Sequence, residues 1–85
     1  MTYDEAKTKA EKVLVKGDHT YNFAQSEMMR DNIIGQMFET KSGKIVEVLE
    51  HTSNNNIIIK SGDAHDAVAG VWFISHIERG SFSRK

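Results

Sequence analysis

Apolar residues near the start of the chain recur at spacings of three and four positions, which is typical of one face of a helix. The positions are Tyr3, Ala6, Ala10, Val13 and Leu14. Thr2 and Glu5 have the spacing of a capping box, in which each side chain accepts a hydrogen bond from the backbone of the other residue. Gly17 follows the last apolar position as a natural stop. The pattern predicts a helix over 3–16.

A weaker helical pattern follows, carried by Tyr21, Ala24 and Met28. It predicts a second helix over about 21–32. From Gly35 onwards the pattern changes to short β-prone runs separated by Gly, Ser and Asn.

The β-prone runs predict four strands, at 36–40, 45–51, 57–60 and 71–77. Gly43 lies in a short loop between the first two and can adopt the positive φ that a hairpin turn needs. Residues 61–70 are polar and predict a loop. The fold class expected from the whole chain is α+β, with two N-terminal helices packed on a small, strongly bent antiparallel sheet.

The length, cysteine content and charge of the chain limit its possible domain organisation and function. The chain has 85 residues, no cysteine and a formal net charge of −1. Its size predicts one domain over 1–85, made of a helical part (1–34), a small β-barrel (35–80) and a basic tail (81–85). The absence of cysteine and of a signal-peptide pattern at the N-terminus predicts a cytoplasmic protein without disulfides. Near-neutrality excludes binding of nucleic acid through a generally basic surface.

The β half resembles the small SH3-like and Sm-like (Hfq-like) barrels. The resemblance covers residues 35–80 and rests on four segments: Gly35-x-x-Phe38-x-Thr40-x-x-Gly43, Val46 to Glu50, Asn56 to Lys60, and Ile74-x-x-Ile77-x-x-Gly80. Short phage-type proteins with such a module have a similar order of motifs. That similarity implies a phage or mobile-element accessory or inhibitory factor that binds a host or defence protein.

Aromatic residues near the C-terminus are the candidate partner-binding side chains. In a strand over 71–77, alternation would send Trp72 to one face and Phe73 to the other. One face must belong to the core, and the other is either covered by the helix over 3–16 or available to a partner protein. In the second case Trp72, Phe73 or Phe82 would be the anchors, and the charges at the rim would be Arg79, Arg84 and Lys85. The leading interpretation is a non-enzymatic binding module with no catalytic residue, metal or cofactor.

Nucleic-acid binding is the first alternative. Arg79, Arg84 and Lys85 could contact phosphates, and Phe82 could stack on a base. His76 joins this set because the Sm-like resemblance includes a His-Ile pair in the closing strand. An exposed strand edge would allow subunits to assemble.

A metal-dependent enzyme is the second alternative. Asp63, His65 and Asp66 are close in sequence and carry ligand types that Zn²⁺ or Mn²⁺ accepts, with His51 or His76 as a further ligand.

Overall fold

The computed structural model describes residues 1–12, 33–52 and 56–85. Their elements, in chain order, are α1 (Tyr3–Ala10), β1 (Met37–Thr40), β2 (Ile45–His51), β3 (Asn56–Ser61), β4 (Ala64–Ala69), α2 (Gly70–Glu78) and β5 (Phe82–Arg84). The five strands form one antiparallel sheet in the order β4-β3-β2-β1-β5. The α+β class and the antiparallel sheet are therefore confirmed.

The predicted β1–β2 hairpin is confirmed. Gly43 has a φ of 85° in its loop, a conformation that costs a residue with a side chain about 1–2 kcal/mol. The loop is closed by a hydrogen bond from the Gly43 N–H to the Thr40 carbonyl at 2.9 Å. These local bonds fix the register in which Phe38 faces Val46.

Helix α1 begins as the capping pattern predicts. The Thr2 hydroxyl accepts a hydrogen bond from the Glu5 N–H at 3.2 Å, and the Glu5 carboxylate accepts one from the Thr2 N–H at 3.0 Å. The helix ends at Ala10, shorter than the predicted 3–16, and residues 13–16 lie outside the described residues.

A helix lies on each face of the sheet. One core cluster packs against α2 and consists of Ile33, Phe38, Val46, Val48, Ile57 and Phe73. The other packs against α1 and consists of Ala6, Ala10, Ile58 and Ala67. Because adjacent residues of β3 point to opposite faces, Ile57 enters the first cluster and Ile58 the second. This explains the uninterrupted isoleucines of β3.

The prediction of two N-terminal helices is wrong, because the second described helix is α2, where the sequence predicted a strand over 71–77. The buried residues Gly70, Phe73 and Ile74, with the half-buried Ile77, follow the three- and four-residue spacing of one helix face. The helix predicted over 21–32 lies outside the described residues.

Two further segments differ from prediction. The polar segment predicted as a loop over 61–70 contains β4, an edge strand that forms a two-residue turn with β3 at Gly62 and Asp63. The residues predicted as a basic tail, 81–85, contain β5, which pairs with β1. In the part of the chain that the structure describes, no helix is long and apolar enough to cross a membrane.

Candidate partner-binding surface

Helix α2 presents a stripe of three side chains on its outer side. Trp72 and His76 are one turn apart, and Arg79 follows at seven residues from Trp72, nearly two full turns. Trp72 is 46% exposed, whereas its neighbours Phe73 and Ile74 are buried. The helix therefore separates a core face from an outer aromatic face.

The end of α2 determines how β5 returns to it. Gly80 has a φ of 79°, its N–H donates to the Ile77 carbonyl at 3.1 Å, and the Ser81 N–H donates to the His76 carbonyl at 2.8 Å. This pair of bonds is the Schellman motif, which reverses the chain directly after a helix. The reversal brings Phe82 back against the helix that the chain has just left.

Three rings form what we call the aromatic patch: Trp72, His76 and Phe82. The ring centroids of Trp72 and His76 are 4.2 Å apart, those of Trp72 and Phe82 are 5.8 Å apart, and those of His76 and Phe82 are 5.1 Å apart. Each pair is tilted or edge-on, which are favourable arrangements for aromatic rings. The rings hold one another in place while much of Trp72 stays in contact with solvent.

The aromatic patch is supported from beneath by the core. Phe73 lies 5.0 Å from Phe82 and 5.3 Å from Phe38 between ring centroids. Phe73 has no exposed surface, so it cannot anchor a partner as the sequence analysis expected. Its position instead joins the patch to the buried centre of the first cluster.

Three cationic side chains lie near the C-terminus and differ in their interactions. Lys85 is ion-paired with Glu39 at 3.3 Å. Arg79 and Arg84 are exposed, and neither has an ion pair within the described residues. The guanidinium carbon of Arg84 lies 5.8 Å from the centroid of the Phe38 ring, so Arg84 covers the outer edge of the first cluster. The predicted basic group is therefore divided: Lys85 is paired with a carboxylate, whereas Arg79 and Arg84 are not paired with any carboxylate of the described residues.

The candidate metal ligands do not come together. No group of three metal-ligating side chains exists among residues 1–12, 33–52 and 56–85. His65 and Asp66 are consecutive in β4, and each is engaged by a different residue of α1. His65 packs edge-on against Tyr3 at 5.9 Å between centroids, and the Asp66 carboxylate accepts a hydrogen bond from the Lys9 ammonium at 2.8 Å.

Asp66 has a structural environment. Burial acts to raise the pKa of its carboxyl, but the hydrogen bonds from Lys9 and from the Ala67 N–H, with the charge of Lys9, outweigh burial and lower that pKa. Its second hydrogen bond is local: the Ala67 N–H donates to Asp66 at 2.7 Å. Next to it along β4, the His65 N–H donates to the Met1 carbonyl at 2.9 Å. These contacts satisfy edge groups of β4 and tie the strand to α1 and to the start of the chain.

The sequence analysis identified Trp72, Phe82 and Arg79 but missed their arrangement. The missed signal was the spacing of the buried residues at 70, 73, 74 and 77, followed by Gly80 as a helix stop. Comparison of the chain with protein-family models, curated proteins and solved structures gave no match.

Proposed function

We propose that the chain is a non-enzymatic protein-binding module whose partner surface is the aromatic patch, with Arg79 at its rim. The exposure of Trp72 within a rigid set of rings carries this proposal. Trp and Arg are among the residues that contribute most to binding at protein interfaces, and a held ring loses little conformational freedom when it binds.

The nucleic-acid alternative has less support from the same geometry. Single-strand binding needs a groove of positive charge along the backbone together with rings open to the bases. Lys85 is already neutralised by Glu39, and Phe82 is half-buried between Trp72 and Phe73. Arg79 and Arg84, which have no ion pair among the described residues, would give only weak, salt-sensitive contact with phosphates in a chain of net charge −1.

The resemblance of residues 35–80 to short phage-type proteins adds a partner class to the proposal. In this view the chain is an accessory or inhibitory factor of a phage or mobile element. It acts in the cytoplasm by occupying a surface of a host or defence protein. The mechanism is steric inhibition: the aromatic patch covers residues that the partner needs for its own function.

Affinity capture from the native host tests the proposal, with two variants compared. Trp72→Ala removes the exposed ring and should abolish capture of the partner. Met37→Ala is the matched control, because Met37 is also 46% exposed but lies in β1 next to Phe38 and so points to the other face of the sheet. Both variants should remain folded at the temperature of the capture, Trp72→Ala with a lower unfolding temperature because its ring packs on His76 and Phe82. Equal capture by the wild type and Trp72→Ala, with folding intact, would refute the proposed surface.

A further inference from the structure

Two arginines flank the aromatic patch from different elements. Arg79 caps the C-terminus of α2 and continues the stripe of Trp72 and His76. Arg84 is two residues beyond Phe82 in β5, so both side chains leave the strand on the same side. The patch is thus bordered by guanidinium groups at the helix end and along the strand.

These arginines differ from the lysines that the structure pairs. Lys9 has a carboxylate at 2.8 Å and Lys85 has one at 3.3 Å, whereas Arg79 and Arg84 have no ion pair among the described residues. The one acidic residue of α2, Glu78, lies about 120° around the helix from Trp72. Within residues 1–12, 33–52 and 56–85, the border of the patch is therefore positive and has no ion-paired carboxylate.

We propose that the partner presents an acidic segment to this surface, with an apolar side chain on Trp72 and carboxylates on Arg79 and Arg84. This inference rests on the proposed function and names the chemistry of the partner. A guanidinium group binds a carboxylate through two parallel hydrogen bonds, which fixes orientation as well as adding affinity. Complementary charge around an apolar centre also accelerates association and rejects basic partners.

Selection from a random-peptide display library against the full chain tests the inference without knowledge of the natural partner. The enriched peptides should combine a large apolar residue with neighbouring Asp or Glu, and they should not bind Trp72→Ala. Binding of a selected peptide should weaken on the order of tenfold in each of Arg79→Gln and Arg84→Gln, and it should fall as salt rises. Lys41→Gln and Lys44→Gln are the matched controls, because both lysines are exposed in the β1–β2 loop. They should bind as the wild type does.

The outcomes distinguish failure of the acidic-partner inference from failure of the proposed protein-binding function. Selected peptides that need Trp72 but show no excess of Asp or Glu would refute the acidic partner, as would peptides that bind both arginine variants normally. Either result would still support the aromatic patch as the binding surface. Peptides indifferent to Trp72→Ala would overturn both.

A separate experiment tests whether the patch binds a single-stranded nucleic acid. Trp72 is the single tryptophan, so its fluorescence reports directly on the patch. An oligothymidine of about ten nucleotides should leave that fluorescence unchanged at low salt. Quenching that disappears in Arg79→Gln would overturn the protein partner in favour of a single-stranded nucleic acid.

Discussion

Replacing Asn56 should destabilise the protein by disconnecting α1 from the sheet. Asn56 is fully buried at the start of β3, and its side-chain NH₂ group donates to the Ala10 carbonyl at 2.7 Å and to the Lys12 carbonyl at 2.6 Å. The last carbonyls of a helix have no partner within it. Asn56 supplies a partner for the carbonyl of Ala10, the last residue of α1, and a second for the carbonyl of Lys12 just beyond the helix.

The size of the effect follows from those two bonds. Asn56→Leu keeps a similar volume and removes both donors. The buried Ala10 carbonyl left without a partner costs about 1–3 kcal/mol, and the lost bond to the partly buried Lys12 carbonyl adds about 1 kcal/mol, so we expect a loss of about 2–4 kcal/mol. A domain of this length has about 4–13 kcal/mol of unfolding free energy in total. The loss should lower Tm by at least about 10 °C.

A second variant tests whether donation, rather than volume, is what matters. Asn56→Asp keeps the shape but places carboxylate oxygens against two carbonyl oxygens at neutral pH. Protonation restores one donor, so the new carboxyl should have a raised pKa in the folded state. The Asn56→Asp protein should therefore become less stable as pH rises from the unfolded pKa of the new carboxyl to its higher folded pKa.

Urea unfolding followed by circular dichroism at several pH values measures both effects. The penalty of Asn56→Asp should shrink as pH falls from 7 towards about 4, while that of Asn56→Leu should stay constant relative to the wild type. A cost for Asn56→Leu below about 0.5 kcal/mol, the range of neutral surface changes, would refute the argument. So would a penalty for Asn56→Asp that does not depend on pH.

Two further predictions concern the β4 edge and the end of α2. Because the pKa of Asp66 is lowered, the stability that it contributes is present above its unfolded pKa of about 3.9 and is lost as pH falls through the lower folded value. Its bond to Lys9 is half-exposed, so Asp66→Asn should cost at most about 1 kcal/mol by urea unfolding at pH 7, and a difference that persists at pH 2 would contradict this. Gly80→Ala forces a side chain into a φ of 79° and should cost about 1–2 kcal/mol, with Gly80→Asn costing less. Equal stability of the two variants would argue against the left-handed turn.

The elements that were predicted well are those with a local cause. Thr2 and Glu5 define the start of α1 through bonds between neighbours, and Gly43 defines the first hairpin through its own conformation. Such signals do not depend on the rest of the fold. The alternation of apolar and polar residues in β2 and the apolar run in β3 predicted strands for the same reason.

Helix α2 was missed because its composition and its position favour different structures. Val71, Trp72 and Phe73 are β-prone residues, and a segment of seven residues is short enough for either element. The sheet settles the choice: the first core cluster leaves one face of β3 and β4 to be covered, and a helix that buries Phe73 and Ile74 covers it. Tertiary packing of this kind overrides local propensity.

The same correction changes the nature of the candidate site. A strand over 71–77 would have placed Trp72 and Ile74 on one face, whereas the helix buries Ile74 and leaves Trp72 exposed in line with His76 and Arg79. The left-handed turn at Gly80 then adds Phe82 from β5, which is paired to β1. The proposed partner surface is built on a helix and a paired strand and so is ordered before binding, which means that little conformational entropy would oppose association. Specificity is then expected to depend on the fixed geometry of rings and guanidinium groups rather than on the ordering of a basic tail.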